Sequence, residues 1–167
     1  MSARLPLRPV KIYSGHPKLG FTRPAIAAAV HALDAAAAAQ TDCDRGSWHV
    51  PAGELSLAFL TDAALARLHA DFLSDPSPTD VITFSGDSAH GLAGEICISV
   101  DTARAYAARH GHEFADELTL YLVHGYLHLA GYDDHKTPER RQIRAAERRA
   151  MAVLQTAKKI PELKFER

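Results

Sequence analysis

Hydrophobic residues that alternate with polar ones predict four strands in this chain. Residues 5–13 carry β-forming side chains interrupted by two prolines, which is typical of a strand at the edge of a sheet. In residues 48–60, large apolar side chains near the end of the segment alternate with smaller or polar ones, which predicts a half-buried strand. Two shorter apolar runs predict strands at residues 81–84 and 95–100.

Apolar residues spaced three or four apart predict five helices between and after these strands. Their approximate ranges are 23–40, 62–73, 101–109, 113–130 and 137–156. Proline lies in the first turn of the first and last helices, where it is favoured, and Gly131 lies where the fourth should end. Turn-forming residues predict loops at 41–46, 74–80 and 86–94, and the tail 158–167 is predicted to be loosely held.

The element order β, α, β, α, β, β, α, α, α predicts an α+β fold, in which helices cover a small mixed β-sheet. No repeat or long linker divides the chain, so residues 1–167 are predicted to form one domain. A chain of 167 residues buries enough surface to fold without disulfides or other staples.

Composition narrows the classes of function. The chain has 19 Lys and Arg against 20 Asp and Glu, so it is not a globally basic nucleic-acid binder of the histone type. Cys43 and Cys97 lie far apart and form no C-x-x-C motif, which suits a reducing compartment. The start of the chain lacks the pattern of a signal peptide, and no apolar segment is long enough to span a bilayer. We therefore expect a cytoplasmic protein that does not enter membranes.

The segment HGYLHLAGYDDH, residues 124–135, carries the candidate chemistry. His124 and His128 lie four residues apart, so one face of a helix presents both imidazoles, close enough to share a metal ion. Gly131 lets the chain leave the helix and turn back, so that either Asp134 or His135 can supply a third ligand. Three protein ligands with a fourth position open are typical of a catalytic zinc site.

The residue after the first histidine limits the reaction. In zinc peptidases with an H-E-x-x-H motif, the glutamate at this position is the general base. Here the position is Gly125, which cannot accept a proton, so a peptidase of that type is not expected. A base would have to come from Asp133, from Glu95 or from a metal-activated hydroxide.

Three segments resemble a known family. HGYLHLAGYDDH resembles the H-G-x-L-H-L-x-G-Y-D-H signature of the YbeY family, bacterial metal-dependent endoribonucleases that act in ribosomal RNA maturation. SPTDVITF at 77–84 and AGEICIS at 93–99 resemble two further motifs of that family, in the same order. The resemblance implies a zinc-dependent endoribonuclease that cuts single-stranded RNA at the 3′ end of small-subunit ribosomal RNA and serves ribosome quality control. Its implied partners are ribosomal RNA and a small-subunit ribosomal protein, with no DNA.

The resemblance also bears on individual residues. The family's third ligand lies six residues after its second histidine, which favours Asp134 over His135 and implies the catalytic set His124, His128 and Asp134. The family has an arginine implicated in activity where this chain has Leu73. The alternative function is therefore a zinc-stabilised ribosome assembly factor that binds RNA or a ribosomal protein without cutting.

The last predicted helix is rich in cations. Residues 136–149 hold six basic residues against two acidic ones. Such a helix face is either simply solvated or contacts phosphates, and Arg140, Arg141 and Arg144 are nearest in sequence to the histidine motif.

Overall fold

The computed structural model describes residues 6–40, 46–73 and 79–167. Its strands are β1 Val10–Ser14, β2 Leu19–Gly20, β3 Glu54–Leu60, β4 Val81–Ser85, β5 Leu92–Ser99 and β6 Lys164–Phe165. Its helices are α1 Arg23–Ala39, α2 Asp62–Leu73, α3 Val100–His110, α4 Phe114–Leu129 and α5 Thr137–Thr156. The predicted turn at 41–46 and loop at 74–80 lie largely outside the described residues.

Four strands form one mixed sheet in the order β1-β3-β5-β4. β1 and β5 both run parallel to β3, whereas β4 is antiparallel to β5. β1 lies at one edge of the sheet, as predicted, but it spans only Val10–Ser14 instead of the predicted 5–13. Pro6 and Pro9 precede the strand, so they end the segment able to pair and do not occupy the sheet edge themselves. The predicted α+β class, a small mixed sheet covered by helices, is confirmed.

The two faces of the sheet are covered by different helices. Alternate residues of β3 and β5, among them Leu57 and Ile96, pack with α1, α4 and α5 in the main hydrophobic core. The intervening residues, among them Ala58 and Cys97, pack with Leu65 of α2 in a smaller cluster. The core that carries α4 therefore lies on one face of the sheet only.

The strand predicted at 48–60 is confirmed only for Glu54–Leu60. Gly53 has a φ of +117°, and a Cβ there would lie 2.5 Å from the carbonyl oxygen of Gly91, so the chain turns sharply just before β3. Trp48 is nevertheless buried, and its indole N–H donates a hydrogen bond to the carbonyl of Leu33, 3.3 Å away. The alternating pattern that predicted the strand is confined to its second half, which is the part observed as β3. β5 likewise begins at Leu92, inside the predicted loop 86–94.

The prediction that the tail is loosely held is wrong. β6 pairs antiparallel with β2, and Leu163 is only 6% exposed. Phe165 packs edge-to-face against Phe114 at the start of α4. A polar, short segment gives little local signal, so only the tertiary contacts reveal that it closes over the core. No helix within residues 6–40, 46–73 and 79–167 combines the length and apolar character needed to cross a membrane.

Candidate metal centre

The end of α4 turns the chain back toward the two histidines. The N–H of Gly131 donates to the carbonyl of His128, and the N–H of Tyr132 donates to the carbonyl of Leu127, at 3.0 and 3.1 Å. This pair of bonds is the Schellman motif, which requires a left-handed residue, and Gly131 has a φ of +101°. The glycine that ends the helix thus also directs the following residues to the histidine face.

Three side chains meet at this point. The Nε2 atoms of His124 and His128 lie 2.9 Å apart, and Asp134 Oδ2 lies 3.5 and 3.6 Å from them respectively. In a tetrahedral zinc site with bonds of about 2.0–2.1 Å, neighbouring ligand atoms are about 3.3 Å apart. Two imidazole nitrogens and one carboxylate oxygen are also a donor set that zinc accepts. The three residues therefore fit one divalent ion in both spacing and chemistry.

His135 lies outside this cluster, in a second and more exposed group of possible ligands with Asp133 and Asp134. Its side chain is 81% exposed, and its Nδ1 is hydrogen-bonded to Asp133 Oδ1. That bond to Asp133 raises the pKa of His135 above its usual value and lowers the pKa of Asp133. The geometry thus favours Asp134 as the third ligand and gives His135 no place in the cluster with the two α4 histidines.

His124 is oriented by a residue of the last helix. Its Nδ1–H donates to Glu147 Oε1 at 2.5 Å, which leaves Nε2 as the nitrogen that faces His128 and Asp134. Burial of the ring opposes protonation, but the hydrogen bond to Glu147 and the charges of Glu147, Asp80 and Asp134 outweigh it and raise the pKa of His124. A carboxylate on the far nitrogen of a metal-binding histidine fixes the ring and its tautomer.

Glu147 is not among the site residues predicted from the sequence, where it is one of two acidic residues in a basic helix. Glu147 lies four residues after Ile143 and three before Ala150, both buried, so it occupies the apolar face of α5. A carboxylate at such a position needs a partner, and that signal was present in the sequence.

Gly125 has a packing role that explains why no glutamate follows His124. A Cβ at this position would lie 2.4 Å from Ile96 Cγ2 and 3.1 Å from Val81 Cγ1. The glycine therefore allows α4 to lie directly on β5 and β4. On its other side, α4 is fixed by Tyr126, whose hydroxyl donates to Asp34 Oδ1 at 2.7 Å.

The loop that follows α4 and carries Asp134 is held by hydrogen bonds at both of its ends. The Tyr132 hydroxyl donates to the carbonyl of Gly46 at 2.7 Å. The Arg140 guanidinium donates to the carbonyl of His135 at 3.0 Å and to that of Asp134 at 3.4 Å. Arg140, for which the sequence left phosphate contact and simple solvation as alternatives, thus holds the loop that carries Asp134.

A groove of about 550 Å³ opens beside His124. Thr79 and Asp80, which belong to the second sequence motif, line it, as does Arg144 of α5. The negative charge of Asp80 is close enough to act on His124. The second motif therefore contributes to the same site as the first, a role that the sequence alone did not assign.

Neither candidate base is well placed. Glu95 lies on the sheet face opposite α4, since Cys97 Sγ is 3.8 Å from its Oε1 while the intervening Ile96 faces Gly125. Asp133 accepts hydrogen bonds from its neighbours' backbone and from His135, and its lowered pKa makes it a weak base. These two residues are therefore poor candidates for removing a proton from an attacking water.

The sequence is similar to those of known proteins. Residues 19–155 match the family model described as Endoribonuclease YbeY. A curated Endoribonuclease YbeY of Protochlamydia amoebophila is 40% identical over 105 residues, which cover 60% of this chain and 70% of that protein. One of Chloroflexus aggregans is 41% identical over 117 residues, covering 63% and 76%.

A solved structure shares the fold. The solution structure of TM1509 from Thermotoga maritima superposes with a TM-score of 0.58 at 20% identity, covering 89% of this chain and 91% of that one. Since the family model spans most of the sequence, including every motif that was singled out, the chain belongs to the YbeY family of endoribonucleases.

Proposed function

We propose that this protein is a metal-dependent endoribonuclease that cuts single-stranded RNA during maturation of the 3′ end of small-subunit ribosomal RNA and in ribosome quality control. We propose one zinc ion per chain, bound by His124, His128 and Asp134. The protein would act in the cytoplasm, with ribosomal RNA and a small-subunit ribosomal protein as partners, as one domain spanning residues 1–167.

This proposal is supported by the arrangement of the three donor atoms of His124, His128 and Asp134. Three donors from α4 and the following loop lie 2.9–3.6 Å apart, with all three side chains partly exposed to solvent. A structural zinc site has four protein ligands, whereas three ligands, of which His124 lines an open groove, leave room for water and substrate. The endoribonuclease family gives RNA as the class of substrate.

The residues of the chain have distinct parts in this chemistry. Zinc held by these ligands would supply activation of a water molecule at neutral pH and positive charge beside the phosphate. Glu147 positions the His124 ring, and Arg140 positions the Asp134 loop. Arg144 lines the groove, where its positive charge would stabilise the negative charge on the phosphoryl oxygens. That negative charge increases as the bond to the nucleophile forms.

Leu73 sets the expected strength of the activity. Leucine cannot supply the positive charge of the arginine that the family has at this position. The Leu73 side chain is not among those that the structure describes. We therefore expect slow cleavage that rises with Leu73→Arg and falls with Arg144→Gln.

Zinc content and RNA cleavage measured together test the proposal. Untagged wild-type protein should contain close to one equivalent of zinc and cut a single-stranded RNA that mimics the small-subunit 3′ precursor. His128→Ala and Asp134→Ala should lose both zinc and cleavage. His135→Ala is the matched control, because this neighbouring imidazole lies outside the cluster, and it should retain both.

Three outcomes would contradict the proposal in different ways. Zinc content near zero in fresh wild-type protein would remove the metal site. Cleavage that survives both a chelator and His128→Ala would identify a contaminating nuclease. Zinc and RNA binding without any cleavage would support the alternative, an assembly factor that binds ribosomal RNA or a ribosomal protein.

A further inference from the structure

Three aromatic rings cluster at the end of α3, outside the metal centre. Tyr106 and His110 are stacked with ring centroids 3.9 Å apart and planes 20° from parallel. The His112 ring lies 6.0 Å from Tyr106 and 5.9 Å from His110. This ring cluster, Tyr106 with His110 and His112, is open to solvent: Tyr106 is 38% exposed and the His112 side chain 51%.

Hydrogen bonds fix the rings in place. His110 Nδ1–H donates to the carbonyl of Tyr106 at 2.9 Å. His112 Nδ1–H donates at 3.1 Å to Glu117, a buried carboxylate on α4 whose side chain is only 6% exposed. Gly111, with a φ of +65°, makes the tight turn that brings His112 next to the other two. A platform fixed in this way loses little conformational entropy when a ligand stacks on it.

The ring cluster adjoins the groove of the metal centre. Tyr106 and Glu117 line the same groove as His124 and Arg144. The walls of one groove therefore include the Tyr106 ring of the cluster, the Arg144 guanidinium and His124, one of the three candidate metal ligands. An unpaired nucleotide has matching parts, namely a flat base and a phosphate.

We propose that Tyr106, His110 and His112 form a subsite on which an unpaired base of the RNA stacks while its phosphate backbone passes Arg144 toward His124. The proposal rests on the function proposed above, since it takes RNA as the ligand. Stacking on rings tolerates any base, because every base has a π-face, so the subsite would select for single-stranded RNA rather than for a sequence. Bases held in a duplex cannot reach such a platform.

Binding to a short single-stranded RNA tests the subsite. The RNA carries phosphorothioate linkages that slow hydrolysis, and affinity is measured by fluorescence anisotropy with zinc-loaded protein. Tyr106→Ala is expected to weaken binding about 5- to 100-fold, the loss that removal of one base–aromatic stack produces. Tyr106→Phe keeps the ring and should bind within about twofold of wild type.

Two controls separate stacking from other effects. Tyr13→Ala removes a tyrosine that is 64% exposed and lies beside Glu95 on the far side of the sheet, so it should bind as wild type does. An RNA with an abasic site at the stacked position should bind wild type weakly and lose little further affinity in Tyr106→Ala. Thermal unfolding of each variant shows that the fold is retained.

The outcomes distinguish the two proposals. If wild type binds the RNA but Tyr106→Ala binds equally well, the subsite is refuted and the proposed function stands. If Tyr106→Ala weakens binding to duplex RNA by the same factor, the rings do not act by stacking, and the subsite is refuted. If wild type does not bind RNA at all, both proposals fall.

Discussion

Gly125→Ala tests whether close packing of α4 on the sheet positions the metal ligands. The new methyl group would begin 2.4 Å from Ile96 Cγ2, whereas carbon atoms in contact are normally about 3.5–4.0 Å apart. Ile96 is fully buried in the main core, so moving it would disturb the side chains packed around it. Either Ile96 or α4 must shift by about 1 Å.

The magnitude follows from two opposing effects. Overpacking of a well-filled core costs about 1–3 kcal/mol. Replacing glycine by alanine inside a helix stabilises the helix by up to about 1 kcal/mol. We expect a net loss of about 1–2 kcal/mol in the free energy of unfolding. Because His124 is the adjacent residue and metal sites tolerate displacements of only about 0.5 Å, zinc affinity should fall at least tenfold.

Urea denaturation of the zinc-free protein measures the first effect, with the fluorescence of the buried Trp48, the only tryptophan, as the signal. Competition with a chromophoric chelator measures the second. Ile96→Ala removes the atom that clashes, although it costs about 2–5 kcal/mol by itself. The double variant should lose less free energy of unfolding than the sum of the losses in the two single variants, by about 1 kcal/mol or more.

Two results would refute the packing explanation. If Gly125→Ala is as stable as wild type or more stable, only helix propensity matters at this position. If its loss adds to that of Ile96→Ala without coupling, the two residues are not in contact. Either result would also remove the steric reason why this helix lacks the glutamate of zinc peptidases.

Three further predictions concern other parts of the molecule. Glu147→Ala should lower zinc affinity about 10- to 100-fold in chelator competition, because the His124 ring loses its orienting partner, and Glu147→Gln, which keeps an acceptor oxygen, should lose less; equal affinity in all three proteins would contradict this. Burial and the neighbouring Glu95 carboxylate raise the pKa of Cys97 to about 12. In a Cys43→Ser variant, alkylation of Cys97 at pH 8 should therefore be negligible in native protein and complete in urea. Rapid labelling of the native protein would show instead that the thiol is accessible. Leu163→Ala should cost about 2–5 kcal/mol in urea denaturation because the tail closes over the core, whereas a change below about 0.5 kcal/mol would restore the prediction of a loose tail.

Some of the site could be predicted from the sequence because its geometry is local. The pair His124 and His128 follows from the helical repeat, and the glycine break at Gly131 follows from helix-capping chemistry. A helix that ends in a Schellman turn returns the chain over a few residues, so a third donor near Asp134 was predictable as well. The mixed sheet followed from the order of elements, whereas the prolines that predicted an edge strand precede β1 and do not explain its position.

Tertiary structure decided whatever depends on residues distant in sequence. Glu147 contacts His124, 23 residues away in sequence, because α5 packs beside α4. The helical pattern indicates that Glu147 needs a partner, but only the packing makes His124 that partner. The side of the sheet on which Glu95 lies depends on strand register, because a shift of one residue moves every side chain of the strand to the opposite face. β2 and β6 are too short to be recognised alone, since only their pairing and the burial of Leu163 stabilise them. The sequence by itself thus determined the chemistry of the histidine motif, whereas packing determined its orienting partner, its groove and the aromatic rings beside it.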